Sequence, residues 1–238
     1  MAAVEGKVAL VTGASQGLGR ALALAYAREG AKLVVNARSE ERLHPVAEEA
    51  EGLGAEVLAV PADVADSESV DRLVSQAADR FGRIDVLVNN AGLLGPRVKI
   101  EEFPEDEWRK VIDANLTGLF LVSKAAVPHL GNGASVINLV SGVSIEGRPE
   151  WGAYSVSKFG VEALTQIMAA ELQDRGVRVN AVDPGGMNTE MRAAAYSKED
   201  AESRVAPEDN LDVFLYLASD ESKDVTGQRF KAQEFTRG

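Results

Sequence analysis

The chain has 238 residues, 45% of them hydrophobic and 26% charged, with no Cys, only 2 His and a formal net charge of -12. That is a folded globule able to bury its own core. Disulfides, thiolate nucleophiles, iron–sulfur ligation and Cys-based zinc sites are excluded. So is a His-rich metal site, since His44 and His129 lie far apart.

The acidic balance opposes non-specific nucleic-acid binding, which needs a basic footprint. The first seven residues, Met1 to Lys7, carry no signal pattern. No run of about 18 uninterrupted apolar residues predicts a membrane-spanning helix. The expectation is a cytoplasmic protein with no metal and no nucleic-acid or membrane partner.

Short apolar runs alternate with longer stretches of helical period. Lys7–Thr12 reads as a buried strand, followed by glycines and a helix to about Arg28. Lys32–Ala37, Glu56–Val60 and Ile84–Val88 read as further strands, separated by helices over Glu40–Gly52 and Ser67–Phe81. A long helix is predicted over Asp106–Leu130, interrupted at Asn115, where an interior Asn costs propensity. Then come a strand at Ser135–Val140, a helix at Gly152–Arg175, a strand at Val177–Val182, a helix at Pro207–Ala218 and a last strand at Gln228–Ala232. Strands this apolar are covered on both faces, which indicates a parallel sheet. The alternation makes it a doubly wound, Rossmann-like α/β fold over 1–238. Gly185–Val205 is rich in Gly, Ser, Asn and charge and follows a strand end. In this fold class ligands sit beyond strand carboxyl ends, so the stretch reads as a short lid over a substrate or as an ordinary surface loop.

Three glycines, Gly13, Gly17 and Gly19, stand where the first strand turns into the first helix. Such a turn lets backbone approach a pyrophosphate whose charge the helix N-terminus holds. The same residues also match a G-x-S-x-G nucleophile elbow, which would make Ser15 a nucleophile with His44 or His129 as base. The context opposes that hydrolase reading: only one strand precedes the turn, and neither His ends a late strand. The second strand ends in Arg38 and Ser39 with no acid, and an Arg there accommodates a 2′-phosphate. Tyr154 and Lys158 lie four apart in a predicted helix and share a face. A free phenol titrates near about 10, and a neighbouring cation favours its ionised form. With Ser141 at a strand end, they form a plausible proton-transfer cluster.

These motifs, in this order, resemble the short-chain dehydrogenase/reductases of single-domain type: TGASQGLG, Asp63-Val64, Asn89-Asn90-Ala91-Gly92, Asn115, Ser141, YSVSK, and Pro184-Gly185 with Thr189. The resemblance covers nearly the whole chain. It implies seven parallel strands in the order 3-2-1-4-5-6-7 and hydride transfer between a nicotinamide and a carbonyl or secondary alcohol. Tyr154 would be the general acid/base, Lys158 would lower its pKa and hold the nicotinamide ribose, and Ser141 would orient the substrate carbonyl. Asn115 would hold a water linking Lys158 to solvent. Gly13, Ser15, Gly17, Leu18 and Gly19 would cradle the pyrophosphate. Asp63 and Val64 would hold the adenine, and Asn90, Ala91 and Gly92 would line the cleft. Pro184, Gly185 and Thr189 would position the nicotinamide. The two Asn after the fourth strand also have a purely structural reading, since buried amides need partners.

Arg38 and Ser39 imply NADP preferred over NAD, although Gln16 stands where many NADP-using relatives carry a base. The tail Phe230 to Phe235 departs from the DGG-like strand of many relatives, and the segment from Thr189 to Pro207 is short for the family's lid. Relatives pair their long helices across a two-fold axis. Leu116, Leu119, Phe120, Val122, Phe159, Val161, Leu164 and Ile167 spread over more than one face, so a homodimer or homotetramer is expected. Leu93, Leu94, Gly142, Val143, Ser144 and Arg148 to Trp151 are candidate pocket residues. A 3-oxoacyl-thioester reductase and a sugar or polyol dehydrogenase are the alternative substrate readings. A non-catalytic NADP-binding module is the alternative of another class, and it would have no need of the Ser141, Tyr154 and Lys158 set.

Overall fold

Val8–Thr12 (β1) is buried along its whole length. Lys32–Ala37 (β2), Ile84–Asn89 (β4) and Arg178–Asp183 (β6) are buried almost throughout. Strands without a wet face have to lie between two layers, which is why their sequences run apolar instead of alternating. With Val57–Pro61 (β3), Leu130–Leu139 (β5) and Arg229–Lys231 (β7), they form a seven-stranded sheet in the order β3-β2-β1-β4-β5-β6-β7. Every pairing is parallel. The expected order is therefore the observed one. The computed structural model describes residues 3–196 and 204–236.

Two cores sandwich the sheet. On one face Gly17–Arg28 (α1), Glu40–Gly52 (α2) and Asp212–Ala218 (α8) bring in Leu22, Tyr26, Val46 and Phe214. On the other, Ser67–Phe81 (α3), Gly118–Ala126 (α5) and Gly152–Glu171 (α6) bring in Leu73, Val122 and Met168. The chain reverses its winding between β1 and β4, and the crevice beyond the strand ends at such a switch point is where this architecture takes ligands.

The helix expected over Asp106–Leu130 is built in pieces. Glu105–Ile112 (α4) leads into a π turn at Asp113–Thr117, then α5, then a 3-10 turn at Val127–His129. Asn115 sits inside the π turn, so the predicted interruption is where the sequence places it. By length and composition Glu105–His129 is apolar enough to cross a membrane, at mean hydropathy 1.2, a property the count of uninterrupted apolar residues missed. In this fold the stretch lies in the helix layer, with Val122 and Ala126 in the core beside the sheet.

Other boundaries differ. β5 begins at Leu130, five residues before the expected start, because Leu130 pairs with Ile84 before the register shifts to Ser135 against Val86. The helix expected at Pro207–Ala218 is a 3-10 turn, Pro207–Asp209, followed by α8. The last strand shrinks to Arg229–Lys231 and ends in a 3-10 turn at Ala232–Glu234. Gly185–Val205 carries a short helix, Glu190–Ala195 (α7), and a bridge between Met187 and Val205. Residues 197–203 of the expected lid lie outside the described residues.

Candidate active site

A cleft of about 980 Å³ opens above the carboxyl ends of β1, β2, β4, β5 and β6. Its floor is the turn after β1. Gly13 and Gly17 have φ of +65° and +53°, a region that disfavours side chains. A Cβ on Gly13 would come within 2.8 Å of Ala91 Cα, and one on Gly19 would run into the Gly13 carbonyl and lie 2.5 Å from Asn90 Nδ2. The glycines thus let α1 start tight against the β4 loop and leave backbone bare toward the cleft. Ser15 and Leu18 line it as well.

The amides after β4 build this floor. Asn90 Nδ2 donates to the carbonyls of Thr12 (2.9 Å) and Gly13 (3.1 Å), while Thr12 Oγ1 accepts from the backbone N–H of Asn90 and Ala91. Asn89 is buried and donates to Ser123 Oγ (3.0 Å) and Asn138 Oδ1 (2.9 Å). Asn89 is thus a strut of the sheet. Asn90 welds β1 to β4 beneath the cleft, where it and Ala91 and Gly92 also form wall.

At the far rim, Arg38 and Ser39 line the cleft as expected, with Asp63 and Val64 beside them. Asn36 is spent within the sheet, donating to the Val60 and Ala62 carbonyls. Ser39 caps α2 by accepting from the Arg42 N–H at 3.2 Å, which aims that helix N-terminus at the rim. A second cation stands there that the sequence reading missed. Arg42 lines the cleft, and its guanidinium donates to Gln16 Oε1 at 2.9 Å. Gln16, noted as a missing base, instead tethers one. The available signal was spacing, since Arg38 and Arg42 lie four apart across a helix start.

At the near end, α6 presents Tyr154 and Lys158 on one face. Lys158 is 5% exposed, and its Nζ donates to the Leu139 carbonyl at 2.7 Å. Burial pulls its pKa down to about 8. Burial pushes the Tyr154 phenol up to about 12; the Ser141 hydroxyl beside it works the other way, and the Asp183 carboxylate adds to the rise. Lys158 Nζ lies 5.8 Å from the centre of the Tyr154 ring. Ser141 follows the wall residues Leu139 and Val140, so the three side chains meet where β5 and α6 end the cleft.

Asn115 is buried behind this wall. Its Oδ1 accepts from Leu93 N–H at 2.6 Å, and its Nδ2 donates to the Leu93 carbonyl at 2.8 Å and to Ser157 Oγ at 3.0 Å. That side chain is committed to protein on both its oxygen and its nitrogen. Pro184 and Thr189 line the cleft. Thr189 caps α7 by accepting from Arg192 N–H at 3.2 Å. Gly185, at φ +68°, lies under Gln233 and donates to Asp183 Oδ1 at 3.0 Å. Of the candidate pocket residues, Leu93 lines the cleft, whereas Val143 and Ser144 are buried in packing. Trp151 packs on Tyr154 at 5.7 Å between ring centres. His44 pairs with Glu48 on α2. His129 precedes β5, at the opposite end of the sheet from Ser15. Neither His is placed to serve Ser15 as a base, and among the described residues the hydrolase reading has no geometry behind it.

Fold and cleft together define an oxidoreductase class that works with a dinucleotide. Within it the chain belongs to the short chain dehydrogenases, whose family model matches residues 7–200. It is 40% identical to the 3-oxoacyl-[acyl-carrier-protein] reductase FabG of Thermotoga maritima, over 94% of this chain and 95% of that protein. It is 39% identical to 3beta-hydroxysteroid dehydrogenase 1 of Eggerthella lenta, over 94% and 91%. A short chain dehydrogenase of Escherichia coli CFT073, solved complexed with NADPH, superposes with a TM-score of 0.92 at 36% identity, covering 98% of both chains.

Proposed function

We propose that this oxidoreductase reduces a carbonyl compound, and oxidises the matching secondary alcohol, with NADP(H) in preference to NAD(H). The observation that carries the reading is one continuous cleft. It runs from the paired cations Arg38 and Arg42, over the bare glycine turn, to Tyr154 and Lys158. The bare turn fits a pyrophosphate, since any Cβ on Gly13 or Gly19 would collide with the β4 loop. When bound there, the nicotinamide supplies or accepts the hydride. Arg38 and Arg42 hold the 2′-phosphate by charge-assisted hydrogen bonds, and Asp63 and Val64 flank the adenine. Pro184, Gly185 and Thr189 fix the nicotinamide end.

Ser141 orients the substrate oxygen. The Tyr154 hydroxyl gives that oxygen a proton in reduction and takes it back in oxidation. The Lys158 ammonium lies on the Tyr154 face and favours phenolate. In the free protein burial raises the phenol, and the Ser141 hydroxyl opposes that rise. Of the two substrate readings, a 3-oxoacyl thioester is favoured by the Thermotoga maritima relative. Thr189 and α7 form part of a short lid on the single domain.

Exposed Phe120 on α5 and Val156, Phe159 and Ile167 on α6 support a homodimer or homotetramer built on these helices. Leu119, Val122 and Val161, expected on the same surface, are buried in the chain's own core. A cytoplasmic site of action completes the reading.

Tyr154→Phe tests the proposal. It keeps the ring and removes the proton, so NADPH should still bind, as read by nicotinamide fluorescence. Turnover across a panel of 3-oxoacyl thioesters, ketones and alcohols should fall by about 100-fold or more. Near-full activity in the variant refutes the assignment.

A further inference from the structure

The last strand places a cation behind the active site. Arg229 on β7 donates from Nε to Glu162 Oε1 at 2.8 Å and from Nη2 to Asp183 Oδ2 at 2.9 Å. The same Nη2 lies 3.2 Å from the Ser141 carbonyl. Ser144 Oγ closes the ring, 2.7 Å from Glu162 Oε1 and 2.5 Å from the Ser141 carbonyl. The carboxylates of Glu162 and Asp183 are 13% and 10% exposed, the guanidinium 21%. Three elements, β6, β7 and α6, thereby hold the backbone of one residue at the tip of β5.

We propose that Arg229 is a positioning residue of this enzyme: its fork fixes the Ser141 main chain and neutralises the Asp183 carboxylate that stands beside the reacting phenol. The inference rests on the reading of Tyr154 as acid/base and Ser141 as its partner. An Arg suits the task because a planar fork can serve two carboxylates and a carbonyl at once, where an ammonium is a point charge. Without it, two scarcely exposed carboxylates would stand together, and each would disfavour further negative charge nearby. Phenolate at Tyr154 is such a charge, and Asp183 already opposes it.

Among the described residues, the charged groups around the Tyr154 hydroxyl are few. Lys158 comes from its own helix and Asp183 from β6. Glu162 and Arg229 stand behind Asp183. Across Trp151 lies Arg97, stacked 4.6 Å from the Trp151 ring and paired with Glu150 at 3.6 Å. Arg229 hydrogen-bonds to both Asp183 and the Ser141 carbonyl, so its removal changes charge and geometry together.

The test reads the phenol without needing a substrate. Protein labelled with ¹³Cζ-tyrosine has four tyrosine signals, and Tyr154→Phe assigns the one that matters. The signal is titrated by NMR in the free protein and with NADP⁺. Asp183→Asn, which keeps the oxygen that accepts from Gly185, should move Tyr154 ionisation down by about one pH unit. Arg229→Met should move it up by a similar amount, and the double variant should return to the value of Asp183→Asn alone. Arg229→Lys keeps the charge and loses the fork. Its ionisation should match the unmodified protein while kcat falls several-fold at unchanged KM for NADPH. A signal unmoved by both Asp183→Asn and Arg229→Met overturns the proposal, as does a double variant that keeps the raised value. If Arg229→Met does not fold, Asp183→Asn and Arg229→Lys decide alone. A protein that turns over no carbonyl or alcohol would refute the proposed function while leaving this titration readable.

Discussion

Replacing Lys158 with Met should stabilise the free protein while removing its turnover. The ammonium is 5% exposed and its one hydrogen bond among the described residues is to the Leu139 carbonyl, at 2.7 Å. Burial lowers its pKa from 10.5 to about 8. At about 1.4 kcal/mol per unit, the charged form is worse placed in the fold than in the unfolded chain by roughly 3 kcal/mol. The folded pKa is the lower one, so between about pH 8 and pH 10.5 the unfolded chain binds the extra proton and stability rises with pH. Below about 8 both states are charged and the cost is present in full. Met keeps the length and apolar stem of the side chain and forfeits the bond to Leu139, worth about 1 kcal/mol. The net gain near pH 7 is about 2 kcal/mol, or roughly 4–8 °C in Tm for a chain of this size. Melting curves of cofactor-free protein and variant by circular dichroism, at pH 7, 9 and 10, measure it, and the variant's advantage should shrink as pH rises. A variant that melts below the unmodified protein at pH 7, or whose advantage grows with pH, refutes the reasoning.

Arg38→Ala should weaken NADPH about tenfold and leave NADH nearly unchanged. That is the low end for a charged hydrogen bond of about 1.5–3 kcal/mol, as suits an exposed side chain. Arg42→Ala should do the same in smaller measure, and Gln16→Ala should follow Arg42→Ala, because Gln16 holds that guanidinium. Fluorescence titration with both cofactors checks all three, and equal losses for NADPH and NADH would reduce the arginines to surface charge. Gly19→Ala should cost about 1–3 kcal/mol of stability and most cofactor affinity, since its Cβ meets the Gly13 carbonyl and Asn90. A variant with unchanged Tm and NADPH binding would contradict the close approach. Light scattering at micromolar concentration should give at least twice the mass of one chain, and Phe120→Glu with Phe159→Glu should lower it to one. A monomer in the unmodified protein removes the case for the α5 and α6 surface.

What was legible in the sequence follows from where each signal originates. The strands could be read because both of their faces are buried, so the apolar run is itself the evidence. β5 began furthest from its expected start: Leu130 pairs alone before Gly131, Asn132 and Gly133, and a single paired residue ahead of a bulge leaves no run to see. The interruption at Asn115 was visible as a poor helix residue in a good helix. Its form was not, because the π turn answers to the backbone of Leu93, 22 residues upstream. Tyr154, Lys158 and Ser141 could be read as a cluster because two share a helix face and the third ends a strand.

Arg42 and Arg229 show the other side. Each is a charged residue on an element whose sequence gives no reason to treat it as more than solvated. Arg42 acquires a role from Gln16, 26 residues away, and Arg229 from Ser141, 88 residues away. Both partners had been singled out, Gln16 for lacking a charge and Ser141 for its hydroxyl. The tail that departs from many relatives, Phe230 to Phe235, begins directly after Arg229. At the rim Gln16 tethers the guanidinium that α2 supplies. Directly before the tail, Arg229 on β7 reaches the Ser141 carbonyl beyond β5. Both arrangements follow from one constraint: a polar group beside a buried site has to find a partner in the fold, and here each partner is a neighbour in space that lies far along the chain.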